Sequence, residues 1–218
     1  MAKAIPAPGS KYWAVPKIWD GDSCAIIGGG PSLAGRDLSV LSDRCRAIAV
    51  NCAYKLGSFE AMYFGDSRWL ADFGAGLANF AGLKITSHLE HDGKYGIRVI
   101  RRDFEGLGIS KDPELLYWNK SSGACAINLA VLLGAGRIIL LGFDMKRVNG
   151  KSNYHTEYQP IDPKFDPFYK FLPPFNAISD DLKKLGIECV NATPIIKGQP
   201  LSALEAFPTI DIDEVLSC

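Results

Sequence analysis

The sequence lacks an excess of charge of either sign. Its 24 Lys and Arg residues balance its 24 Asp and Glu residues, so the formal net charge of the 218-residue chain is zero. A protein whose main work is non-specific binding to nucleic acid or to an acidic membrane surface carries a clear positive excess. That class of partner is therefore excluded as the principal one, although a local basic patch is not.

Long apolar runs and paired cysteines are missing as well. No stretch approaches the ~20 apolar residues of a membrane-spanning helix, and residues 1–13 lack the apolar core of a signal peptide. The six cysteines show no CxxC or other metal-ligand spacing and lie singly, mostly in apolar runs, which is typical of buried free thiols. We therefore expect a cytoplasmic protein without a membrane span, a zinc site or a disulfide framework.

Short apolar segments separated by turn and helix signals make up most of the chain. Several are apolar throughout, which is typical of strands buried on both faces of a parallel sheet. The predicted strands are 23–28, 46–51, 61–65, 83–86, 97–100, 137–142 and 186–191, and the predicted helices are 67–80, 123–133 and 178–185. This alternation predicts an α/β fold: a single-domain, Rossmann-like, mainly parallel, doubly wound sheet with helices on both faces.

Three segments depart from this alternation. Residues 1–22 are rich in Pro, Gly and aromatic residues and predict an irregular arm packed on the domain, which spans 23–218. A lid-like insertion at about 146–175 is aromatic, interrupted by proline and long for a connection after a strand. The stretch 201–218 mixes apolar and acidic residues. Either the domain or a partner subunit could cover that stretch, so a homo-oligomer stays open.

A run of glycines follows the first predicted strand. The sequence IIGGGPSL places Gly28, Gly29 and Gly30 before a predicted helix start at Pro31 and Ser32. Glycines let a ligand approach the backbone closely, and the free N–H groups of a helix start favour an anion. The segment is neither a Walker loop nor a GxGxxG fingerprint, and a tight structural turn is the alternative. Its place after the first strand of an α/β sheet favours a nucleotide site.

Polar residues follow three more of the predicted strands. Asn51 closes the second strand, Asp66 follows the third, and Asp144 follows the strand at 137–142. Asn51 could contact a base or ribose, and Asp66 could hold a ribose hydroxyl or metal-bound water. A turn or a helix cap is the alternative role for both. Because ligands of open α/β sheets bind at the carboxyl ends of the strands, these residues predict one shared site.

The sequence KSSG opens the strongest predicted helix. Ser121, Ser122 and Gly123 place two hydroxyl groups and a glycine at its N-terminus, where the helix dipole favours a phosphate. A plain N-cap is the alternative.

Two further features are weaker. His88 and His91 have the HxxH spacing of some metal sites, but the surrounding sequence favours a surface turn. Arg98, Arg101 and Arg102 lie on an alternating strand, where a solvated edge is expected and a role toward a phosphate or an acceptor is the alternative.

Taken in order, these motifs resemble those of the family 42 bacterial sialyltransferases. The motifs are IIGGGPSL, a strand-end VN, SSG at a helix start, and LLGFD followed by NG and a tyrosine. They are also similar to the broader GPSL group, which includes the archaeal 6-hydroxymethylpterin pyrophosphokinases and the motility accessory factors. Within that group, the run from VPKIWDGDSCAIIGGGPSL to FGDSRWL looks closest to phage and prophage proteins. The resemblance covers most of residues 23–192.

The resemblance implies roles for individual residues. In the sialyltransferases the glycine loop, the strand-end Asn and the SG pair hold the nucleotide of a CMP-sugar, and paired lid tyrosines stabilise the departing phosphate. The comparable lid residues here are Tyr154 and Tyr158, with His155 as the nearby histidine that could act as general base. With the strand-end carboxylates added, the expected nucleotide-binding set is Gly28, Gly29, Gly30, Ser32, Asn51, Asp66, Ser121, Ser122, Gly123 and Asp144.

This chain departs from the sialyltransferase pattern in three places. Gly29 replaces a loop Asn, and Asp66 stands where the family has a second Asn. The base of the family lies well beyond its first lid tyrosine, whereas His155 directly follows Tyr154. These departures bear on sialyl transfer itself, more than on nucleotide binding.

The leading hypothesis is a nucleotide-dependent glycosyltransferase with a CMP-sugar-like donor and an acceptor that the sequence does not identify. One alternative is an Mg²⁺-dependent ATP pyrophosphokinase of the pterin-kinase type, with Asp66 and Asp144 as metal ligands. Another is a non-catalytic phage protein that binds a nucleotide or a partner. No tightly bound cofactor is expected, and Mg²⁺ belongs to the kinase alternative. A phage-encoded protein would work in the cytoplasm of its bacterial host.

Overall fold

A parallel sheet of eight strands forms the centre of the protein. The computed structural model describes residues 11–158 and 165–217. In chain order the strands are β1 (Ser23–Ile27), β2 (Arg46–Val50), β3 (Ala61–Phe64), β4 (Leu83–Thr86), β5 (Ile97–Val99), β6 (Arg101–Asp103), β7 (Leu115–Tyr117), β8 (Arg137–Leu141), β9 (Glu188–Thr193), β10 (Ile195–Ile196), β11 (Gln199–Pro200) and β12 (Thr209–Asp211). The order across the central sheet is β12-β9-β8-β1-β2-β3-β4-β5, and every pairing in it is parallel.

Helices cover both faces of the sheet, but they differ in kind. The α-helices are α1 (Trp69–Phe73), α2 (Ser122–Leu133), α3 (Phe168–Phe171), α4 (Pro174–Leu185) and α5 (Ile212–Leu216). One face packs against α2 and α4. The other packs against α1, α5 and short 3₁₀ turns between the first strands. Those turns within the second face are Pro31–Leu33, Ser39–Asp43, Asn51–Leu56 and Gly74–Asn79.

The fold prediction is confirmed. Residues of β1 such as Cys24 and Ile26 are fully buried on one face, and Ala25 and Ile27 are fully buried on the other. A strand buried on both faces has no reason to alternate polar and apolar residues, which is why its sequence is apolar throughout. The fold class is therefore α/β, Rossmann-like and doubly wound.

The predicted helix at 67–80 is wrong in its extent. Only α1 is α-helical there, and the chain continues as the 3₁₀ turn Gly74–Asn79. Gly74 and Gly76 lie in the second half of the predicted helix, and each glycine in a helix interior costs about 0.5–1 kcal/mol relative to alanine. The short strand pairs β6–β7 and β10–β11 lie outside the central sheet. The residues of β6 were expected to continue the strand that begins at residue 97, whereas β7, β10 and β11 were not predicted.

Both ends of the described chain pack on the domain. Residues Trp13 and Val15 donate backbone hydrogen bonds to the carbonyl groups of Val99 and Pro113, at 2.7 and 2.8 Å. At the other end, β12 extends the sheet beside β9, and Ile212 is fully buried. The domain itself therefore covers the C-terminal stretch as far as residue 217. Within the described ranges, no helix has the length and apolar character needed to cross a membrane.

Candidate functional site

The chain reverses its direction of travel across the sheet at β1. Strands β1 to β5 follow one another toward one edge, whereas β8 lies on the opposite side of β1. The carboxyl ends of β8, β1, β2 and β3 are therefore neighbours. Such a reversal leaves a crevice beside the strand ends, where ligands of open α/β sheets bind. The glycine run follows β1 and Asp144 follows β8, so both flank the point of reversal.

Glycine is required after β1 because this loop packs tightly against the end of β8. The Gly30 N–H donates to the carbonyl oxygen of Gly142 at 2.9 Å. A Cβ atom on either Gly28 or Gly30 would lie 2.6 Å from that oxygen. The third glycine is less constrained, since a Cβ on Gly29 would meet only a side-chain oxygen of Asn153, at 3.1 Å.

The N–H groups after the glycine run are satisfied inside the protein. The Ser32 N–H donates to Asp144 Oδ2 at 2.8 Å, and the Leu33 N–H donates to the carbonyl oxygen of Gly30 at 3.2 Å. Pro31 has no N–H. The expected helix start is also wrong, since Pro31–Leu33 is a single 3₁₀ turn. The Asp144 carboxylate thus accepts the N–H that was expected to bind a ligand anion. Contact of the glycine loop with a nucleotide stays a prediction.

Asp144 is a buried carboxylate with one oxygen unpaired. Its residue exposure is 1%, and Oδ1 has no hydrogen-bond partner in the described part of the chain. Burial raises the pKa of Asp144 above its ordinary value, against the lowering effect of the hydrogen bond from the Ser32 N–H. The side-chain hydroxyl of Ser32 is likewise buried without a described partner. Two polar groups at the point of reversal therefore have unused hydrogen-bonding capacity.

Asn51 combines a strained backbone with an unpaired side-chain oxygen. Its φ angle is 53°, in the left-handed region, and its Oδ1 atom is buried without a partner among the described residues. Left-handed residues also occur at Asn119 and Lys120 before α2 and at Met145 after β8. Strained residues and unsatisfied buried polar atoms both concentrate at functional sites. Asn51 is therefore the clearest ligand-binding candidate at the end of β2.

The three residues of the SSG motif have different roles. The Ser121 side chain accepts the Ala124 N–H at 3.1 Å, so it is the N-cap of α2. Gly123 permits close packing, because a Cβ there would lie 2.8 Å from the ring of Phe143. Only Ser122 faces the strand ends: its Oγ atom would lie 2.7 Å from a Cβ placed on Gly65, just after β3.

Asp66 caps the turn that precedes α1. Its Oδ1 accepts the Arg68 N–H at 2.9 Å, and its Oδ2 lies 3.4 Å from Arg68 Nη2. Burial alone would raise the pKa of Asp66, but the contacts with Arg68 and His88 together lower it. Asp66 and Asp144 follow strands three positions apart in the sheet, a separation of about 14 Å at a strand spacing of about 4.8 Å. This spacing is between strands and not between the carboxylates, so Mg²⁺ binding by Asp66 and Asp144 stays a prediction.

Three lid residues expected to be catalytic meet at the ends of β1 and β2. The Tyr154 N–H donates to the Gly29 carbonyl oxygen at 3.0 Å, and the Tyr154 hydroxyl donates to the Cys52 carbonyl oxygen at 2.9 Å. The His155 ring lies edge-on to the rings of Tyr154 and Tyr158, with centroids 4.7 and 4.6 Å apart. Residues 159–164 of the predicted lid lie outside the described residues.

His155 is held as a neutral ring in this arrangement. Burial lowers its pKa, against the raising effect of the nearby Glu157 carboxylate, which pairs with Lys55 at 2.6 Å. The His155 Nδ1 atom accepts the Glu157 N–H at 3.2 Å, which puts the ring proton on Nε2. Neither nitrogen then has a free lone pair for an acceptor hydroxyl. His155 could act as a general base only after the lid moves and breaks that hydrogen bond.

Both lid tyrosines are protonated donors at neutral pH. Burial raises the pKa of Tyr154 and of Tyr158 above the ordinary value of a phenol. The Tyr158 ring packs edge-on against Phe73, at 5.0 Å between centroids. The Tyr154 hydroxyl is already used by Cys52, so it must change partner to reach a phosphate.

His88, His91 and Arg102 hold the chain after β3, a role that their sequence pattern did not predict. The carbonyl oxygen of Gly65 accepts hydrogen bonds from Arg102 Nη1 at 2.8 Å and from the His88 ring at 3.0 Å. His91 is only 8% exposed, and its ring bonds the carbonyl oxygen of Ser67 at 2.9 Å. The HxxH segment is a turn at the surface, as expected, with Leu89 and Glu90 exposed. Its two imidazole rings nevertheless point inward and hold the loop after β3.

The three arginines after β4 differ in their exposure to solvent. Arg98 and Arg101 are exposed, as expected, and Arg101 pairs with Asp112 at 2.8 Å. Arg102 is partly buried, and its guanidinium carbon lies 4.3 Å from the centre of the Trp118 ring. The expectation of a solvated edge is therefore wrong for Arg102. The sequence signal for this role is the pair of aromatic residues Phe104 and Trp118, whose rings lie against the Arg102 guanidinium.

No protein-family model matches the chain, and no curated protein matches its sequence significantly. Among solved structures, the sialyltransferase CstII from Campylobacter jejuni in complex with cytidine-5'-monophosphate is similar over 88% of this chain and 85% of that chain. Its TM-score is 0.54 and its sequence identity 18%. The same enzyme in complex with CMP-3FNeuAc is similar over 87% and 86%, with a TM-score of 0.50 and 17% identity. The likeness is one of fold. This chain has a sialyltransferase-like fold along nearly its whole length.

Proposed function

We propose that the protein is a nucleotide-dependent glycosyltransferase that uses a CMP-sugar-type donor. The observation that carries the proposal is the meeting of the lid residues Tyr154, His155 and Tyr158 with the strand ends that carry Gly29 and Asn51. The fold around them is similar to that of a sialyltransferase solved in complex with CMP and with CMP-3FNeuAc. Placement and fold therefore support the same class of donor.

The proposed chemistry requires little of the protein. Asn51 and Ser122 bind the nucleotide, and the tyrosine hydroxyls donate hydrogen bonds to the leaving phosphate as the bond to the sugar breaks. Movement of the lid frees a His155 nitrogen, which takes the proton of the acceptor hydroxyl. Sialyl transfer is the most specific form of this proposal, and the departures at Gly29 and Asp66 make the donor sugar the point to test.

Isothermal titration with CMP, CDP, ATP and GTP, each with and without Mg²⁺, tests the donor class. We expect cytidine nucleotides to bind and Mg²⁺ to have no effect. Mg²⁺-dependent binding of ATP would instead support a pyrophosphokinase, and the absence of binding by every nucleotide would leave a non-catalytic interaction protein.

Variants test the residues. We expect Asn51→Ala to weaken CMP binding about tenfold, the effect of losing one well-placed hydrogen bond of about 1.4 kcal/mol. Lys94→Ala is the control, because Lys94 is exposed on the turn that leads into β5 and not at the ends of β1, β2 or β3. We expect His155→Ala to retain CMP binding and to lose CMP release from a CMP-sugar, measured with an acceptor panel. Full turnover in that variant would rule out His155 as the base.

A further inference from the structure

An arginine without a carboxylate partner lies beside the candidate site. Arg102 donates through Nη1 to the carbonyl oxygen of Gly65 at the end of β3. Its guanidinium carbon lies 4.3 Å from the ring centre of Trp118 and 4.7 Å from that of Phe104. Its neighbour Arg101 pairs with an aspartate, whereas Arg102 forms no ion pair with the residues that the structure describes. Arg102 is thus a fixed positive charge that no described carboxylate neutralises.

The guanidinium lies close to the part of the site assigned to the donor. A Cβ on Gly65 would lie 2.7 Å from Ser122 Oγ and 3.1 Å from a ring carbon of Trp118. The Ser122 hydroxyl, the Trp118 ring and the Arg102 guanidinium therefore surround the same residue. Tyr154 contacts the chain after β1 and β2, whereas Arg102 contacts the chain after β3, one strand further along the sheet.

The free side of the guanidinium suits a carboxylate. The Arg102 Nε atom is buried and has no hydrogen-bond partner among the described residues. With Nη1 bonded to Gly65 and Nε covered by the protein, Nη2 is the nitrogen left for an incoming partner. A carboxylate bound at Nη2 with its second oxygen toward Nε would also satisfy that buried donor, because the Nε–Nη2 edge matches the two oxygens of a carboxylate. Phe104 is 58% exposed and Leu107, on the same loop, is 56% exposed. These exposed apolar side chains suit the C–H face of a sugar ring.

We propose that Arg102, held on the ring of Trp118, binds the carboxylate of an acidic acceptor sugar. The proposal rests on the proposed glycosyltransferase function and adds the chemical class of the acceptor. The acceptor is favoured over the donor because Arg102 lies one strand further along the sheet than Asn51 and the contacts of Tyr154, and because Phe104 beside it is exposed to solvent.

Two substitutions at Arg102 separate its charge from its hydrogen bond. Arg102→Gln keeps an N–H that can donate to Gly65 but removes the charge, and Arg102→Lys keeps the charge. Arg98→Gln is the matched control, because Arg98 is exposed on the neighbouring β5 and loses the same charge. The protein, saturated with CMP, is titrated with D-glucuronate and D-galacturonate, and with glucose and galactose as the uncharged counterparts. Binding is followed by saturation-transfer NMR, and CMP affinity is measured for every variant.

We expect the wild-type protein to bind a uronate about tenfold more tightly than its neutral counterpart, the effect of one charged hydrogen bond. Arg102→Gln should lose that preference, while Arg102→Lys and Arg98→Gln should keep most of it. Equal binding of the acidic and neutral sugars by the wild-type protein would overturn the inference without any variant having to fold. An unchanged preference for uronates in Arg102→Gln would also overturn the inference. A loss of CMP affinity in Arg102→Gln would overturn it too, because Arg102 would then bind the donor.

The two proposals fail in different ways. If the wild-type protein does not bind CMP, the proposed function fails and the acceptor proposal fails with it. If CMP binds and the preference for uronates is missing, only the acceptor proposal fails.

Discussion

Substitution of Asp144 tests whether its carboxylate organises the glycine loop. Its Oδ2 accepts the Ser32 N–H at 2.8 Å from a position that is 1% exposed. Two variants separate the roles of the side chain. Asp144→Ala removes the acceptor, and Asp144→Asn keeps an oxygen in the same place but removes the charge.

The expected loss in Asp144→Ala follows from the N–H it leaves unpaired. An unsatisfied buried donor costs about 1–3 kcal/mol. In a domain of this size each kcal/mol lowers the melting temperature by about 2–4 °C, so we expect a fall of about 2–12 °C. Asp144→Asn retains the hydrogen bond and avoids burying a charge. We therefore expect it to be at least as stable as the wild-type protein at neutral pH.

The pH dependence has a definite sign. Burial raises the pKa of Asp144, so the folded chain holds that proton more tightly than the unfolded chain does. The contribution of Asp144 to stability must then fall as pH rises from its unfolded pKa, about 3.9, through its folded pKa, and level off above it. Asp144→Asn cannot titrate. Its advantage over the wild-type protein should therefore be present at pH 7 and disappear on acidification.

Thermal unfolding followed by circular dichroism between pH 4 and pH 8 measures all three proteins. If Asp144→Ala melts within 1 °C or so of the wild-type protein, the Ser32 hydrogen bond does not stabilise the loop. If Asp144→Asn is less stable than the wild-type protein at pH 7, the carboxylate is stabilised as an anion, and the argument from burial is wrong.

Three further predictions concern single contacts. Gly30→Ala places a Cβ 2.6 Å from a backbone oxygen that cannot yield, so we expect a loss of about 1–3 kcal/mol in chemical denaturation, with Gly29→Ala milder. Ser121→Ala removes the cap of α2 and should cost about 0.5–2 kcal/mol without changing CMP affinity, whereas Ser122→Ala should weaken CMP binding with little change in stability. Tyr154→Phe leaves the Cys52 carbonyl oxygen without its donor, so we expect a loss of about 0.5–1.5 kcal/mol, measured as a lower urea midpoint.

The sequence was sufficient to predict the sheet because its strands are buried on both faces. A run such as RIILL has no other stable environment in a protein without a membrane-length apolar stretch, and it forms β8 in the centre of the sheet. The strands that were missed, such as β7 and β12, have three residues each. Three residues carry too little periodicity to be distinguished from a loop. Their pairing depends on neighbours that are distant in sequence.

The site could be predicted only in part. The place of a polar residue after a strand or before a helix shows that it lies near the site, but not which group it contacts there. Asn51 and Ser122 were singled out from their places after a strand and before a helix, and the structure leaves both facing the strand ends. Asp144 has the same kind of place, but its carboxylate is used by Ser32, 112 residues away in sequence. Arg102 was assigned to a solvated edge because nothing in its own strand shows the ring of Trp118. In each case a contact distant in sequence decides the role.

The lid is where these internal contacts meet the proposed chemistry. The Tyr154 hydroxyl donates to the Cys52 carbonyl oxygen, and the His155 Nδ1 accepts the Glu157 N–H. Both catalytic candidates therefore already have backbone partners. A phosphate that accepts the hydrogen bond of the tyrosine hydroxyl replaces one hydrogen bond with a stronger, charge-assisted one. Donor binding can thus supply the free energy that moves the lid, and the same movement would release His155 for the acceptor. Binding and the assembly of the base would then be a single step.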